Sequence, residues 1–225
     1  MNTLAATIDG WCALDDAGAA WRAAAPCVEG REVLVPLCRA HAEDERLMAT
    51  LAAWRNRHVR AFPSRFEATA ASTRRWLENN VLPGDRAVLL VAPADANGDL
   101  SRAIGHVGVC GYRDAARTGS VELENIVRGD DGRQAGAMSR AMQALIALCE
   151  RHGARMQELR VFDDNARAIA FYERLGFAAG ERTPMRRSST PGDDSVAPRA
   201  AGDDAPGDEH LLHMVRMQQT GAQAT

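Results

Sequence analysis

Asp163-Asp164-Asn165-Ala166-Arg167-Ala168-Ile169-Ala170-Phe171-Tyr172-Glu173-Arg174-Leu175-Gly176-Phe177 is the stretch on which the reading of this chain turns. Ile169, Tyr172 and Leu175 recur at helical spacing, as do Ala168, Phe171 and Leu175, which predicts a short helix over 165–175 with one broad apolar face. Asp163, Asp164 and Asn165 all suit an N-cap, because their short side chains accept from the free N–H groups of a first helical turn. Gly176 suits the left-handed position that ends a helix. Before it, Leu159-Arg160-Val161-Phe162 alternates apolar and polar, so strands are expected over 156–162 and again over 177–183. A phenol on such a helix can reach into a cleft and give a proton to a leaving group. The plainer alternative is that Phe171 and Tyr172 are core aromatics.

Working outward, Gly136 to His152 carries Met138, Met142, Leu145, Ile146 and Cys149 three or four apart, the pattern of a long helix. Upstream, strands are expected over 32–37, 86–92, 103–112 and 120–127, with turn chemistry at Asp95-Ala96-Asn97-Gly98-Asp99 and Arg117-Thr118-Gly119. Two helices are expected between the first two strands, over about 42–58 and 69–81. Residues 1–30 are Ala-rich with little periodicity and read as a short helix or a loosely attached arm. From Arg186 to Glu209 the composition collapses to Ser, Pro, Gly, Ala, Asp and Arg with six acidic residues, which predicts an insertion without order. Alternation resumes at Leu211-Leu212-His213-Met214-Val215-Arg216-Met217, a last strand, so the insertion lengthens one loop of one domain.

The 225 residues carry 27 basic and 30 acidic side chains, a formal charge of −3, and 46% hydrophobic residues. These values suit a globular chain and give no reason to expect a nucleic-acid partner. Every basic residue is Arg, from which no functional reading follows. Cys12, Cys27, Cys38, Cys110 and Cys149 are odd in number and widely spaced, so neither a disulfide framework nor a metal site is expected. The N-terminus lacks the basic start and apolar run of a signal peptide, and no segment approaches a membrane span. A reduced cytoplasmic setting without a membrane partner is the expectation.

The order strand, Asn165, helix with Phe171-Tyr172, Leu175-Gly176-Phe177 and strand resembles motif B of the GCN5-related N-acetyltransferases, the GNAT superfamily. The element order is similar to that superfamily over about 31–185 plus 210–217. So is Arg133-x-x-Gly136-x-Met138 between the strand at 120–127 and the following helix, with Met where the family pattern has Gly or Ala. The Gly-x-Met form resembles RimJ-like and sugar-nucleotide branches. The resemblance implies an α/β (α+β) fold, a mixed, mostly antiparallel sheet of about six to seven strands flanked by helices, with a splayed parallel pair. It implies a domain over 31–217 between the arm at 1–30 and a tail at 218–225, with the acidic loop 186–209 inside it.

The same resemblance implies acetyl-CoA as cosubstrate, no metal, and acetyl transfer to an amine. Backbone groups of Ile126 and Val127, with Arg128 beside them, would hold the acetyl and pantetheine end. Arg133, Gln134, Gly136, Ala137, Met138 and Ser139 would line the pyrophosphate, where free N–H groups and the helix dipole meet an anion. Asn165, Phe171, Tyr172 and Arg174 would approach from the other side. Tyr172 is the candidate general acid. Glu124 first and Glu122 second are candidate bases, two apart and so on one strand face; a solvated face or a salt bridge is the alternative. His106 is another candidate base or a structural histidine, and Cys110 has nothing near it in sequence to stabilise a thiolate.

The two helices after the first strand and the loop between them hold Arg55, Arg57, His58, Arg60, Arg65, Arg74 and Arg75, interleaved with Trp54, Phe62, Phe66 and Trp76. That pattern fits either an anionic, planar ligand or a basic surface set against the acidic insertion. The expected acceptor is a small-molecule amine, such as an amino sugar or its nucleotide, on a monomer or homodimer. A protein N-terminus, as in RimJ-like relatives, and a non-catalytic acyl-CoA-binding module are the alternatives.

Overall fold

The computed structural model describes residues 3–129, 134–188, 194–199 and 209–218. Helices α1 (Leu4–Cys12) and α2 (Ala17–Arg22) precede strands β1 (Ala25–Pro26) and β2 (Glu32–Pro36). Then come α3 (Arg39–Ala42), α4 (Glu45–Arg57) and α5 (Ala70–Trp76), the last running into a π-turn at Leu77–Val81. β3 (Arg86–Pro93), β4 (Gly105–Cys110), α6 (Ala115–Thr118) and β5 (Ser120–Arg128) follow. The chain continues through α7 (Ala137–Arg151), β6 (Met156–Phe162), α8 (Ala166–Arg174), β7 (Ala178–Arg187), β8 (Val196–Pro198) and β9 (Glu209–Met217).

One sheet carries all the strands in the order β1-β2-β3-β4-β5-β6-β9-β7-β8. Only β5 and β6 run parallel; every other described pair is antiparallel. The expected mixed sheet with one parallel pair is therefore present, widened to nine strands by the short edge pieces β1 and β8.

Alternation along β3 shows how the sheet divides the core, since successive side chains of a strand point to opposite faces. Ala87, Leu89 and Val91 join the cluster built with α1, α7 and the Tyr172 end of α8. Val88, Leu90 and Ala92 join the cluster under α2 to α5. The helix ends follow local chemistry. The Asn165 side chain accepts from Ala168 N at the head of α8, and Gly176 takes φ +90° at its end, as the sequence predicts.

Two stretches are better ordered than their composition suggests. Leu4 and Ile8 of α1 are buried in the main core, and Asp9 accepts from the Tyr112 hydroxyl at 2.8 Å, so this part of the N-terminal arm is docked. In the expected acidic insertion, Arg186 and Arg187 belong to β7 and pair with Ala197 and Val196 of β8. Val196, although it stands in a run with few apolar residues, is buried with Phe162, Met185 and Leu211. A single apolar side chain with a ready pocket suffices to dock such a strand, and composition averages it away. Residues 189–193 and 200–208 of that insertion lie outside the described residues.

Candidate active site

The site is made where the parallel pair parts. β5 and β6 pair at Ser120–Met156, Val121–Gln157 and Glu122–Glu158 and no further, although both strands continue. Beyond Glu122 the end of β5 is bent by a bulge: Gly108 of β4 faces Glu124, but His106 faces Val127, so Asn125 and Ile126 oppose the single residue Val107. Asn125 takes φ +49°, a left-handed conformation that Asn adopts more readily than most residues.

Three carbonyls of this freed strand end are held by side chains. His106 Nδ1 lies 2.6 Å from Asn125 O, His58 Nε2 lies 3.0 Å from Arg128 O, and Arg57 Nη1 donates to Gly129 O at 2.6 Å. Gly129 sits so close to the Trp54 ring that a Cβ there would lie 2.0 Å from Cε2. The last turn of α4 thus grips the end of β5 directly.

Glu124 stands in the wall of a cavity of ≈ 330 Å³ on the α4–α5 side of the sheet. Phe62, Phe66 and Trp76 supply aromatic surface, Ser64, Ser72 and Thr73 hydroxyls, and Arg55, Arg86 and His106 the nitrogens. Arg86 Nε lies 2.5 Å from Glu124 Oε1 but off the hydrogen-bond axis, so charge holds that pair and, among the described residues, the nitrogen has no in-line acceptor. The same Oε1 accepts from Asn125 Nδ2 at 3.0 Å. Burial pushes the Glu124 carboxyl above the usual carboxylate range, against the pull of Arg86. Glu122 faces the same way but lies outside this wall, tied to Arg160 of β6 at 2.5 Å.

Tyr172 is 8% exposed and packs edge-on against Phe171 and Phe177, with ring centroids 5.4 and 6.1 Å away. Burial raises its phenol to about 12, which keeps it protonated at neutral pH. Among the described residues its hydroxyl makes no hydrogen bond. The plain core reading and the functional one therefore coexist, with the ring in the core and the hydroxyl uncommitted among the described residues.

Of the loop before α7, residues 134–136 are described. Gln134 takes φ +61° and Gly136 φ +80°, and Gly136, at the N-cap, offers the helix no side-chain cap. Gln134, Ala135 and Gly136 are exposed, Ala137 is buried and Ser139 half-buried. Met138 is turned into the core, its Sδ only 2.9 Å from where a Cβ on Gly105 would sit, so it does not cover the loop. Arg140 anchors this end through Glu32, which is fully buried, with Nη2 to Oε1 at 2.5 Å. Ile126, in the bulge, and Val127, the next residue, have their side chains in opposite clusters. Asn165 is committed to capping α8, Phe171 is half-buried, and Arg174 is exposed in the last turn. Arg133 lies outside the described residues.

His106 is 6% exposed, and burial lowers its pKa to about 4, so the neutral imidazole of a satisfied structural histidine is what stands here. Burial raises the Cys110 thiol to about 12, with Glu124 and Glu122 adding to it, so it holds no thiolate. Most of the arginine cluster is spent on the protein itself. Arg55 lies over Phe62 and Phe66 at 4.9 and 4.0 Å, Arg74 donates to Ala42 O, and Arg65 pairs with Glu209 at 2.7 Å. Arg86 and Asn125 are not site candidates in the sequence reading, and Trp54, read there as part of an aromatic platform for a ligand, packs instead on Gly129 and His106. An Asn inside a Val- and Glu-rich strand is the one signal that could have marked the bulge.

Among the described residues no group of three or more His, Cys, Asp or Glu could hold a metal, and no helix is long and apolar enough to cross a membrane.

Comparison with known proteins agrees with this geometry. The model of the Acetyltransferase (GNAT) family matches residues 42–177. A GNAT-family structure from Chromobacterium violaceum superposes with a TM-score of 0.61 at 20% identity, covering 83% of each chain. RimL, a ribosomal L7/L12 α-N-protein acetyltransferase in complex with coenzyme A, gives 0.61 at 15% identity over 88% of this chain and 99% of its own. A ribosomal-protein-alanine N-acetyltransferase from Brucella melitensis gives 0.54 at 18% identity over 77% and 95%. At such identities these likenesses show the fold. A search of curated protein sequences returns no significant match.

Proposed function

The chain belongs to the GNAT acetyltransferase family, and on that footing we propose that it moves an acetyl group from acetyl-CoA to a primary amine of a small molecule. The observation that carries this reading is Glu124, placed in the cavity wall immediately before the bulge at which β5 and β6 have parted. Acetyl-CoA would supply the activated acyl group. The open first turn of α7, with Gly136 and Gln134 left-handed and Met138 turned away, fits its phosphates. Gln134, Gly136, Ala137 and Ser139 would hold them, with Arg133 and Met138 in the same loop, and Asn165, Phe171, Tyr172 and Arg174 opposite.

The residues divide the proton work. Glu124 takes the proton from the attacking amine, and its raised pKa makes it a stronger base than an exposed carboxylate. Arg86 and Asn125 keep the carboxylate in place at Oε1. Backbone N–H groups at the bulge polarise the acyl carbonyl, because they are fixed before any charge develops there. Tyr172, neutral and with no hydrogen-bond partner for its hydroxyl among the described residues, gives a proton to the departing sulfur. Glu122, already paired to Arg160, is the reserve candidate for the base.

Phe62, Phe66 and Trp76 beside Ser64, Ser72 and Thr73 suit an acceptor with a ring and hydroxyls, such as an amino sugar. A second reading, a peptide N-terminus, is favoured by a neighbouring cavity of ≈ 460 Å³. It shares Phe66 and is lined by Arg60, Arg65, Arg187, Glu67, Asp164 and Glu209, charges that would suit a longer polar chain. Calorimetry with acetyl-CoA, followed by thiol release against aminoglycosides, amino-sugar nucleotides, polyamines and short peptides, tests both. Release on small amines supports the first reading and release on peptides alone the second. No binding of acetyl-CoA overturns both.

A further inference from the structure

We propose that His106 is a positioning residue: its Nδ1–H holds the Asn125–Ile126 peptide in the bulge and so sets the backbone donors that meet the acetyl carbonyl. The inference rests on the acetyl-transfer reading above and adds to it a residue of the cavity wall that acts through the backbone it holds and takes no proton of the reaction.

The partner of Nδ1 is a carbonyl, 2.6 Å away, so that nitrogen carries the proton. A trans peptide is planar, with its C=O and the following N–H pointing opposite ways. Fixing Asn125 O toward the imidazole therefore turns the Ile126 N–H away from it. Without His106, the Asn125 carbonyl would lose that donor at a place where buried carbonyls are almost always paired. The peptide would then be free to rotate out of the left-handed conformation at Asn125, which is intrinsically disfavoured.

The surroundings are built to keep the ring there. The Trp54 ring stacks on it, with centroids 6.2 Å apart and an interplanar angle of 27°. On β4 the imidazole is bracketed by Gly105 and Gly108. A Cβ on Gly105 would lie 2.4 Å from Val127 O, and one on Gly108 would lie 3.0 Å from Glu124 O. Gly105-His106-Val107-Gly108 is thus a strand segment thinned on both sides of one histidine so that the bulged backbone of β5 can close onto it. His58 and Arg57 hold the next carbonyls, at Arg128 and Gly129.

The test compares His106→Phe, which keeps a ring against Trp54 without a donor, with His106→Asn, whose amide nitrogen can occupy the place of Nδ1. His106→Gln places its donor at the position of Nε2 instead. For each, the affinities for CoA and for acetyl-CoA, the carbonyl resonance of [1-¹³C]acetyl-CoA when bound, kcat, KM and Tm are measured. Wild type is expected to shift the bound carbonyl downfield. Phe and Gln are expected to lose most of that shift and about 10–100-fold in kcat, with CoA affinity within about twofold, while Asn retains most of both. Equal behaviour of Asn, Gln and Phe, or a loss of CoA affinity that tracks Tm, overturns the positioning role. Should Phe fail to fold, Asn against Gln makes the same comparison. Wild-type protein that binds no acetyl-CoA overturns the functional reading and this inference together. Wild type that binds and turns over, with unaltered variants, overturns this inference alone.

Discussion

Replacing Glu124 by Gln keeps the shape of the side chain and removes its ability to take a proton. Two effects on stability oppose each other. The native carboxylate is raised in pKa by burial, so the native state binds its proton more tightly than the unfolded chain does. This group alone therefore adds stability as pH falls through the window between the two values, and subtracts it at neutral pH. Neutral Gln relieves that cost, but leaves Arg86 without its counter-charge. Arg86 keeps 34% of its side-chain exposure, so the loss falls between the near-zero worth of an exposed pair and the ~3–5 kcal/mol of a broken buried one. The net change should stay within about 1–2 kcal/mol, a few degrees in Tm for a chain of this size.

Activity should move far more. Loss of a positioned general base costs about 10²–10⁴-fold, or roughly 2.7–5.4 kcal/mol in the barrier. The assay is thiol release with saturating acetyl-CoA and the best amine, as kcat/KM against pH. Wild type should lose activity as pH falls through the Glu124 pKa, on an acid limb lying above the ordinary glutamate range. Glu124→Gln should lack that limb. A variant within threefold of wild type, or an acid limb that survives the substitution, would refute the assignment and move the role to Glu122 or to water.

Tyr172→Phe should lower kcat at least tenfold while CoA affinity stays within twofold, since the hydroxyl has no described partner to lose and the ring keeps its contacts with Phe171 and Phe177; a loss confined to binding in calorimetry removes Tyr172 from the chemistry. Gly136→Ala places a Cβ 2.9 Å from Arg140 Nη1 on a residue at φ +80°, and should cost about 1–2 kcal/mol in denaturant unfolding, together with weakened CoA binding. Arg140→Met strands the fully buried Glu32 and should cost about 3–5 kcal/mol, with Glu32→Leu in the same chain recovering most of it; additive losses would show that the pair is not coupled. Gly129→Ala must displace Trp54, since its Cβ would lie 2.0 Å from the ring, and should lower both Tm and acetyl-CoA affinity.

Local chemistry is what a sequence displays well, and the elements that depend on it came out of the sequence directly. Asn165 and Gly176 bracket α8, the spacing of Met138, Met142, Leu145 and Cys149 makes α7, and the strand at 156–162 appears at its predicted bounds. Tyr172 and Glu124 could be nominated because one sits on a capped amphipathic helix and the other on an alternating strand. The sequence could not say which carboxylate enters the cavity, because Glu122 and Glu124 share a face and differ only in what β6 and β3 bring to them. Nor could it place Met138, whose direction is set by the space that Gly105 leaves on a strand far away in sequence. Val196 shows the same limit, since its burial depends on Phe162, Met185 and Leu211 meeting across β7 and β9. The bulge at Asn125, the imidazole that holds it and the Trp54 ring against Gly129 exist only once β4, β5 and α4 are packed together. Periodicity and capping are encoded within a few residues, so the sequence alone determined α7, α8 and the longer strands in their order, whereas α1, β1, α6 and β8, read there as an arm, a turn and an insertion, form only against the packed sheet. The partners of a side chain across the sheet are chosen by register and packing, so the tertiary structure alone decided which of the candidate residues meet.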